Sequence, residues 1–427
     1  MKDKKKQYHI AFIHHGAVPG GAPTSLKNLI HGLTGCGSLQ ISICCAFSAM
    51  IPFFKTIPKV DVVKYPRPCK ISGKVAIGWA SIYNMKTFLM FFLDILYSPF
   101  AIIRECFFLR RLNPDIVHLN SSILWTSAIA AKLNRYPLVW HVRENFIGGP
   151  YNLRRKLYAL FIRKFADKVI CISPSEGISM DGADSDKIKV VYNSIDLSLF
   201  QEKLYSKTKE RSKFGFKTDD FLILSLGGSS FRKGAFQLIE ALHYLDDTCK
   251  IVIAGDSKIV GKIKNQKIVR LLHAMEDFLF NSGIKKYYSW FYEQRLANSL
   301  LKVDSSRLYC PGVVDADDLA KLISACDVLV FAGTTPHFAR PIFEAWAMKK
   351  PVVVFDTSVM QEEITDGFDG IIVKEHTGIA LAKALNDLKA KPEKCRKLGN
   401  SGWIKSQEKF DINKNAEMVL RIYENNF

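Results

Sequence analysis

No C-x-x-C occurs in the 427-residue chain, although it carries ten cysteines. The cysteines follow no regular spacing, and Cys44 and Cys45 are adjacent. That pattern argues against a structural zinc site or a disulfide framework, and for reduced, mostly buried thiols. Zinc-finger, aromatic ribonucleoprotein and helix-turn-helix patterns are missing, so a nucleic-acid partner is not expected. Low-complexity tracts and short-period repeats are absent as well. The charged stretch Met1–Lys6 is not followed by an apolar core with a small-residue cleavage site. Tyr8–His14 reads as a first strand, and a cytoplasmic protein is expected.

An uninterrupted apolar run of about 20 residues, which a membrane span needs, is also missing. The nearest approach lies between Lys86 and Arg104, where Asp94 is the only charge and Pro99 interrupts the run. It reads as a buried helix, as a helix lying on a bilayer, or as a true span. Lys70, Lys74 and Lys86 precede it, and Arg104, Arg110 and Arg111 follow. Basic residues flanking an aromatic apolar stretch suit an acidic membrane surface.

Acidic residues are in short supply: 41 Asp and Glu face 60 Lys and Arg, a net charge of +19. Residues 1–200 hold 26 of the basic residues against only 12 acidic ones. An excess of that kind points to a polyanionic or phosphorylated partner, met mainly by the first half.

What is abundant is Val, Ile and Leu in short runs. Ile10–Ile13, Ile41–Cys45, Ile116–Leu119, Leu138–His141, Val169–Ile172 and Val190–Tyr192 form one series. Leu222–Leu226, Ile251–Ala254, Val328–Phe331, Val352–Phe355 and Ile371–Val373 form a second. Such runs suit parallel strands covered on both faces. Helical periodicity intervenes, as at Leu26, Leu29, Ile30 and Leu33. Two rounds of strand–helix alternation imply two doubly wound α/β domains. Their boundary is expected near Leu197–Lys217, which is basic and weakly periodic. Residues 285–301, KKYYSWFYEQRLANSLL, read as an added helix, and the tail from Trp403 is helical.

Candidate chemistry lies after the strands. Gly20 and Gly21 follow the first strand and precede a helix, where backbone amides could meet a phosphate. The spacing is not G-x-G-x-x-G, so the dinucleotide fingerprint fails; a plain tight turn remains open. His118 ends one strand, and His141, Arg143 and Glu144 end the next. Ligands gather at such ends, although both histidines also fit a core. Arg232 and Lys233 stand just ahead of a helix at Ala235–Leu245, either as a phosphate site or as a solvated basic turn. Amides around Phe338, Ala339 and Arg340 could hold a diphosphate. Glu344, a turn further on, could accept both hydroxyls of a ribose diol.

The order of these pieces resembles the family 4 glycosyltransferases of GT-B fold. PGGAPTSLKNLI, PDIVHLNSS, LVWHVRE, ADKVICIS and KIKVVYNSIDLSLF carry the resemblance in the first half. Lys233-Gly234, KIVIAGD, ACDVLVFAG, FEAWAMKKPVVVFD and EEITDGFDGIIV carry it in the second. The resemblance implies two Rossmann-like domains facing across a cleft: an acceptor domain, 1–197, with a C-terminal helix, 403–427, crossing back to it, and a nucleotide-sugar donor domain, 198–402. It implies a retaining, hexosyl-type transfer from a UDP- or GDP-sugar, with no metal or other cofactor.

By the same resemblance, Gly20 and Gly21 lie near the donor diphosphate and His141 near the donor sugar. Lys233 neutralises the departing diphosphate, Glu344 binds the ribose, and Glu363 matches a glutamate of a later loop. Arg232 and His337 are candidates to replace two groups that the family usually has and this chain lacks. Gly228 stands where members have Arg, and Pro336 stands where many have Glu. His118, Arg143 and Glu144 would face the acceptor. The expected acceptor is a saccharide or lipid-linked glycan of polysaccharide assembly, at the cytoplasmic face of an anionic membrane. Two other readings stay open: an inactive member serving as a partner or scaffold subunit, and a nucleotide-sugar epimerase of the same fold.

Overall fold

The Val, Ile and Leu runs become two all-parallel sheets. The structure, a computed structural model, describes residues 7–18, 20–36, 39–69, 85–143, 153–180, 186–229, 233–255, 296, 299, 302–334 and 339–427. The first sheet contains β1 (Tyr8–His14), β2 (Leu39–Cys45), β3 (Asp61–Lys64), β4 (Ile116–Leu119), β5 (Leu138–Val142), β6 (Lys168–Cys171) and β7 (Ile188–Val190). Its strand order is β3-β2-β1-β4-β5-β6-β7. The second contains β8 (Phe221–Leu226), β9 (Cys249–Ala254), β10 (Leu308–Gly312), β11 (Val328–Phe331), β12 (Val352–Phe355) and β13 (Ile371–Val373), in the order β10-β9-β8-β11-β12-β13. Every strand pair is parallel. The order reverses between β1 and β4, and again between β8 and β11. At such a switch point the helices leave on opposite faces, and a crevice opens at the carboxyl ends of the strands.

Central strands are buried on both sides, so neighbouring residues feed two cores. Ala11 and Ile13 of β1 pack with Val117, Trp140 and Ala128. Ile10 and Phe12 pack with Leu26, Ile30, Val419 and Tyr423. The last two belong to the final helix, Ile412–Glu424, which lies on the helix Gly21–Cys36. Gly32 allows that approach: a Cβ there would sit 2.7 Å from Ala416 Cβ and 2.9 Å from the Ile412 carbonyl oxygen.

Two strands had no signal in the sequence. Both are edge strands. β3 carries an exposed charge at each end and is only half-buried between them, and β10 contains Pro311 and a register shift. Edge strands need no apolar run, because one side of the ladder faces solvent. The helix expected to run to Leu245 stops at Ala241 and continues as a 3₁₀ turn, Leu242–Tyr244. Of the expected helix at residues 285–301, only Leu296 and Ser299 fall within the described residues.

The chain divides into two compact units, Met1–Ile195 with Phe410–Phe427, and Asp196–Lys409. The stretch expected as a boundary therefore belongs to the second unit. Its helix Lys207–Lys213 is held there by Arg211, which is buried and donates to the carbonyls of Ala325 (2.9 Å), Thr218 (2.7 Å) and Asp220 (2.9 Å). The final return to the first unit starts at Phe410 and not at Trp403. The helix Pro392–Lys409 stays with the second unit because Gly399 and Gly402 let it press against Lys349 and Trp346. Cβ atoms there would come within 2.0 and 2.1 Å of them.

The apolar stretch after Lys86 is the helix Met85–Leu112, with Pro99 inside it. The buried-helix reading is overturned for the described side chains. Leu89, Phe92, Leu93, Leu96, Phe100, Ile103 and Phe107 are all exposed, at spacings of three and four that set them in one stripe. The opposite face, Ser98, Ala101, Glu105 and Leu109, is buried. Among the described residues, no helix is long and apolar enough to cross a membrane.

Candidate active site

In the first unit, the carboxyl ends of β1, β4 and β5 bring His14, Asn120, His141 and Arg143 together at the switch point. Arg143 is the hub and is 8% exposed. Its Nε donates to Asn120 Oδ1 at 2.6 Å, one terminal nitrogen donates to Asn193 Oδ1, and the other lies 3.4 Å from His141 Nδ1. Asn120 Nδ2 lies 3.3 Å from His14 Nδ1. His118 Nε2 is 3.2 Å from His141 Nδ1, and His118 Nδ1 is 2.6 Å from the Tyr423 hydroxyl. His141 Nε2 is buried and has no hydrogen-bond partner among the described residues. Burial, and then the Arg143 charge, hold both His118 and His141 well below the usual imidazole range. Both rings are therefore neutral.

His118 was expected to face an acceptor. The structure instead sets it fully buried behind His141, with both ring nitrogens engaged. Gly20 and Gly21 flank the start of the first helix, where Thr24 Oγ1 donates to the Gly20 carbonyl at 2.8 Å. Among the described residues, a Cβ on either glycine would meet nothing within 4 Å, so their packing does not demand glycine there. Gly16, which carried no assignment, lies against the His14 ring: a Cβ there would come within 2.6 Å of His14 Nε2, so the imidazole would have to move. Glu144 lies outside the described residues.

In the second unit, the switch point lies between β8 and β11, and the turn Lys233-Gly234 closes it. Gly234 has φ +69°, and a Cβ there would meet the Ala332 carbonyl oxygen at 1.9 Å. Gly227 (φ +118°) gives the Lys233 stem room, with its methylenes 3.1–3.2 Å from where a Cβ would be. The ammonium rests over the Phe331 ring, 5.1 Å from its centroid. A cation is thus held at the ends of two central strands, ahead of the helix Ala235–Ala241. Gly228 also has positive φ, +75°, and a residue with a side chain would be strained there.

Ala339 is buried at the cap of the helix Arg340–Ala347. Arg340 Nε lies 2.8 Å from Glu344 Oε1, one turn along. The N–H is not aimed along that line, so the pair is held by charge more than by a directed hydrogen bond. Glu344 is 2% exposed, and desolvation raises its pKa while Arg340 opposes the rise. Glu363 is fully buried, and neither carboxylate oxygen has a hydrogen-bond partner among the described residues. Burial pushes its pKa to about 7, with Lys409 and Lys405 opposing. Arg232, Pro336, His337 and Phe338 lie outside the described residues. Among the described residues, no group of three or more His, Cys, Asp or Glu side chains is placed to hold a metal ion.

Both halves of the chain match known families. Residues 206–403 match the Glycosyl transferases group 1, and residues 19–199 match Glycosyltransferase Family 4. The chain belongs to the family 4 glycosyltransferases. It is 29% identical over 226 residues to the D-inositol 3-phosphate glycosyltransferase of Paenarthrobacter aurescens, covering 52% of this chain and 49% of that one. It spans about half the length of that and another curated relative that it matches. It is 25% identical over 348 residues to the N,N'-diacetylbacillosaminyl-diphospho-undecaprenol alpha-1,3-N-acetylgalactosaminyltransferase of Campylobacter jejuni, covering 77% of this chain and 82% of that one. Among solved structures, Anabaena HepE in complex with UDP and glucose superposes with a TM-score of 0.72 at 19% identity, over 98% of this chain and 100% of that one. The fold is GT-B.

Proposed function

We propose that the chain is a retaining, hexosyl-type glycosyltransferase that moves a sugar from a UDP- or GDP-sugar to a saccharide or lipid-linked acceptor. The observation that carries the reading is the Lys233-Gly234 turn, locked by φ +69° and the Ala332 carbonyl at the second switch point. When a nucleotide sugar reacts, negative charge grows on the β-phosphate as the sugar becomes oxocarbenium-like. A fixed cation stabilises that charge without reorganising, and removing one such preorganised group costs about 3 kcal/mol in the barrier. Lys233 is that cation, and Arg232 is the candidate second one in place of Gly228. Glu344, tethered by Arg340, holds the ribose diol, and Glu363 ends the helix Ser358–Glu363 that follows β12. The amides at Gly20, Gly21 and Ala339 face the diphosphate, and His141 orients the donor sugar. No metal ion or other cofactor is assigned. The attack comes from the front face, the leaving phosphate taking the proton of the acceptor hydroxyl.

UDP in the HepE complexes favours a uridine donor. The lipid diphosphate in the Campylobacter relative's name favours a lipid-linked acceptor. So does the exposed stripe from Leu89 to Phe107, bordered by the exposed Arg104, Arg110 and Arg111. Laid on an anionic bilayer, it would bring the first unit to an acceptor at the cytoplasmic surface. A nucleoside-diphosphate release assay, run with UDP- and GDP-sugars with and without lipid-linked saccharides, tests this. Acceptor-dependent release giving an anomerically retained product is expected. Release that needs no acceptor and changes the sugar's configuration would instead make the protein an epimerase. Nucleotide binding with no release would make it an inactive partner subunit.

A further inference from the structure

We infer that Tyr423 and His118 are positioning residues that hold His141 with its proton on Nε2, so that β5 ends in a neutral hydrogen-bond donor. The proton pattern follows from the hydrogen-bond geometry and from the burial that favours the neutral form of both rings. Only its kinetic consequence rests on the proposed glycosyl transfer.

Arginine offers donors and no acceptor. The Arg143 nitrogen 3.4 Å from His141 Nδ1 therefore makes that Nδ1 an acceptor. His118 Nε2, 3.2 Å from the same atom, must then carry a proton. A neutral His118 leaves its Nδ1 as a lone pair, which accepts from the Tyr423 hydroxyl at 2.6 Å. Each proton is placed: Tyr423 O–H to His118, His118 Nε2–H to His141, and the last on His141 Nε2, the ring atom left without a partner among the described residues. A proton on His141 Nδ1 would set its N–H against the Arg143 N–H, a donor that cannot become an acceptor, and is disfavoured in a buried site. Tyr423 is 305 residues from His118 in sequence and sits on the final helix. The last turns of the chain thus set which atom of His141 meets a ligand. In this tautomer the unpartnered nitrogen, Nε2, has no free lone pair. His141 can donate to a sugar oxygen, but it cannot act there as a general base.

The test is ¹⁵N NMR of the full chain, selectively labelled at histidine, with signals assigned by their loss in His118→Gln and His141→Gln. In wild type, a pyrrole-type Nε2 and a pyridine-type Nδ1 are expected for both rings at neutral pH. A proton on Nδ1 of His141, or on both its nitrogens, would overturn the inference. In Tyr423→Phe, His118 should populate both tautomers and His141 should gain Nδ1–H population. Unchanged histidine signals there would also overturn it. If transfer is observed, Tyr423→Phe should lower kcat about tenfold, the worth of one neutral hydrogen bond, with KM for the nucleotide sugar little changed. His118→Gln keeps an N–H toward His141 and should retain more of kcat than His118→Leu. A merely structural role would lower thermal stability in all three variants without moving the tautomer signals. Absence of any transfer would count against the proposed function and leave the NMR result to decide the relay.

Discussion

Gly234 approaches the Ala332 carbonyl so closely that a methyl group in place of its α-hydrogen would lie 1.9 Å from that oxygen. The contact ties the turn after β8 to the loop after β11, so the place of Lys233 depends on a residue with no side chain. Gly234→Ala should therefore destabilise the second unit by on the order of 3 kcal/mol, combining left-handed strain with a backbone overlap, and should weaken nucleotide binding. Gly215→Ala is the control: φ is +77°, but among the described residues nothing lies within 4 Å of the added Cβ, so only about 1–2 kcal/mol of conformational strain is expected. Thermal unfolding of the two variants compares them directly. Equal losses would show that the Ala332 contact is unimportant.

Glu344→Gln removes a buried partner of Arg340 and one acceptor for a ribose diol. It should raise KM for the nucleotide sugar roughly tenfold, the worth of a hydrogen bond to a charged group, and change kcat less. Steady-state kinetics read the split. A loss confined to kcat would take Glu344 out of the ribose site.

Glu105 lies beneath the apolar stripe and accepts from Tyr65 (2.8 Å), Thr126 (2.7 Å) and Ser127. Burial raises its pKa from 4.5 to about 7, and the three hydroxyls oppose the rise. The folded state then binds more protons than the unfolded one between those values, so stability falls as pH climbs from about 4.5 through 7 and levels off above. Glu105→Gln should remove this component: little difference from wild type near pH 5, and a relative gain of up to about 3 kcal/mol by pH 8. Denaturant unfolding at the two pH values checks it. A wild-type-minus-variant difference that does not change with pH would sink the assignment.

The exposed stripe predicts lipid binding. Wild type should float with vesicles containing anionic lipid at low salt and float less at high salt, since surface charge is screened. Changing Phe92, Phe100 and Phe107 together to Ser should abolish flotation and leave the fold intact, because all three are exposed. Failure of wild type to float at low salt would remove the membrane from the proposal.

How much was legible in the sequence depended on burial. Ile116–Leu119, Val328–Phe331, Val352–Phe355 and Ile371–Val373 emerge at their expected boundaries, since strands covered on both faces must be apolar throughout. The edge strands Asp61–Lys64 and Leu308–Gly312 carry no such demand and were invisible. In the second unit, the tight turn at Lys233-Gly234 could be read, because a local backbone need shows locally. The first unit's network could not. His118, His141 and Tyr423 meet only through the fold, and Tyr423 looked like one more apolar position of a helix. Asn193, inside the phrase KIKVVYNSIDLSLF, gave a motif without a role until Arg143 was seen to donate to it.

The central claim is a nucleotide site built on Lys233, and a thermal-shift series on the full chain tests it most directly. UDP, GDP, ADP and CMP would be added at millimolar concentration, without metal, to wild type and to Lys233→Ala. A ligand at 100 times its Kd stabilises the folded state by about 2.7 kcal/mol. A shift with UDP or GDP, reduced in Lys233→Ala together with a loss of roughly a hundredfold or more in turnover, is the expected result. No shift with any nucleotide in wild type, or the same shift in both proteins, would contradict it.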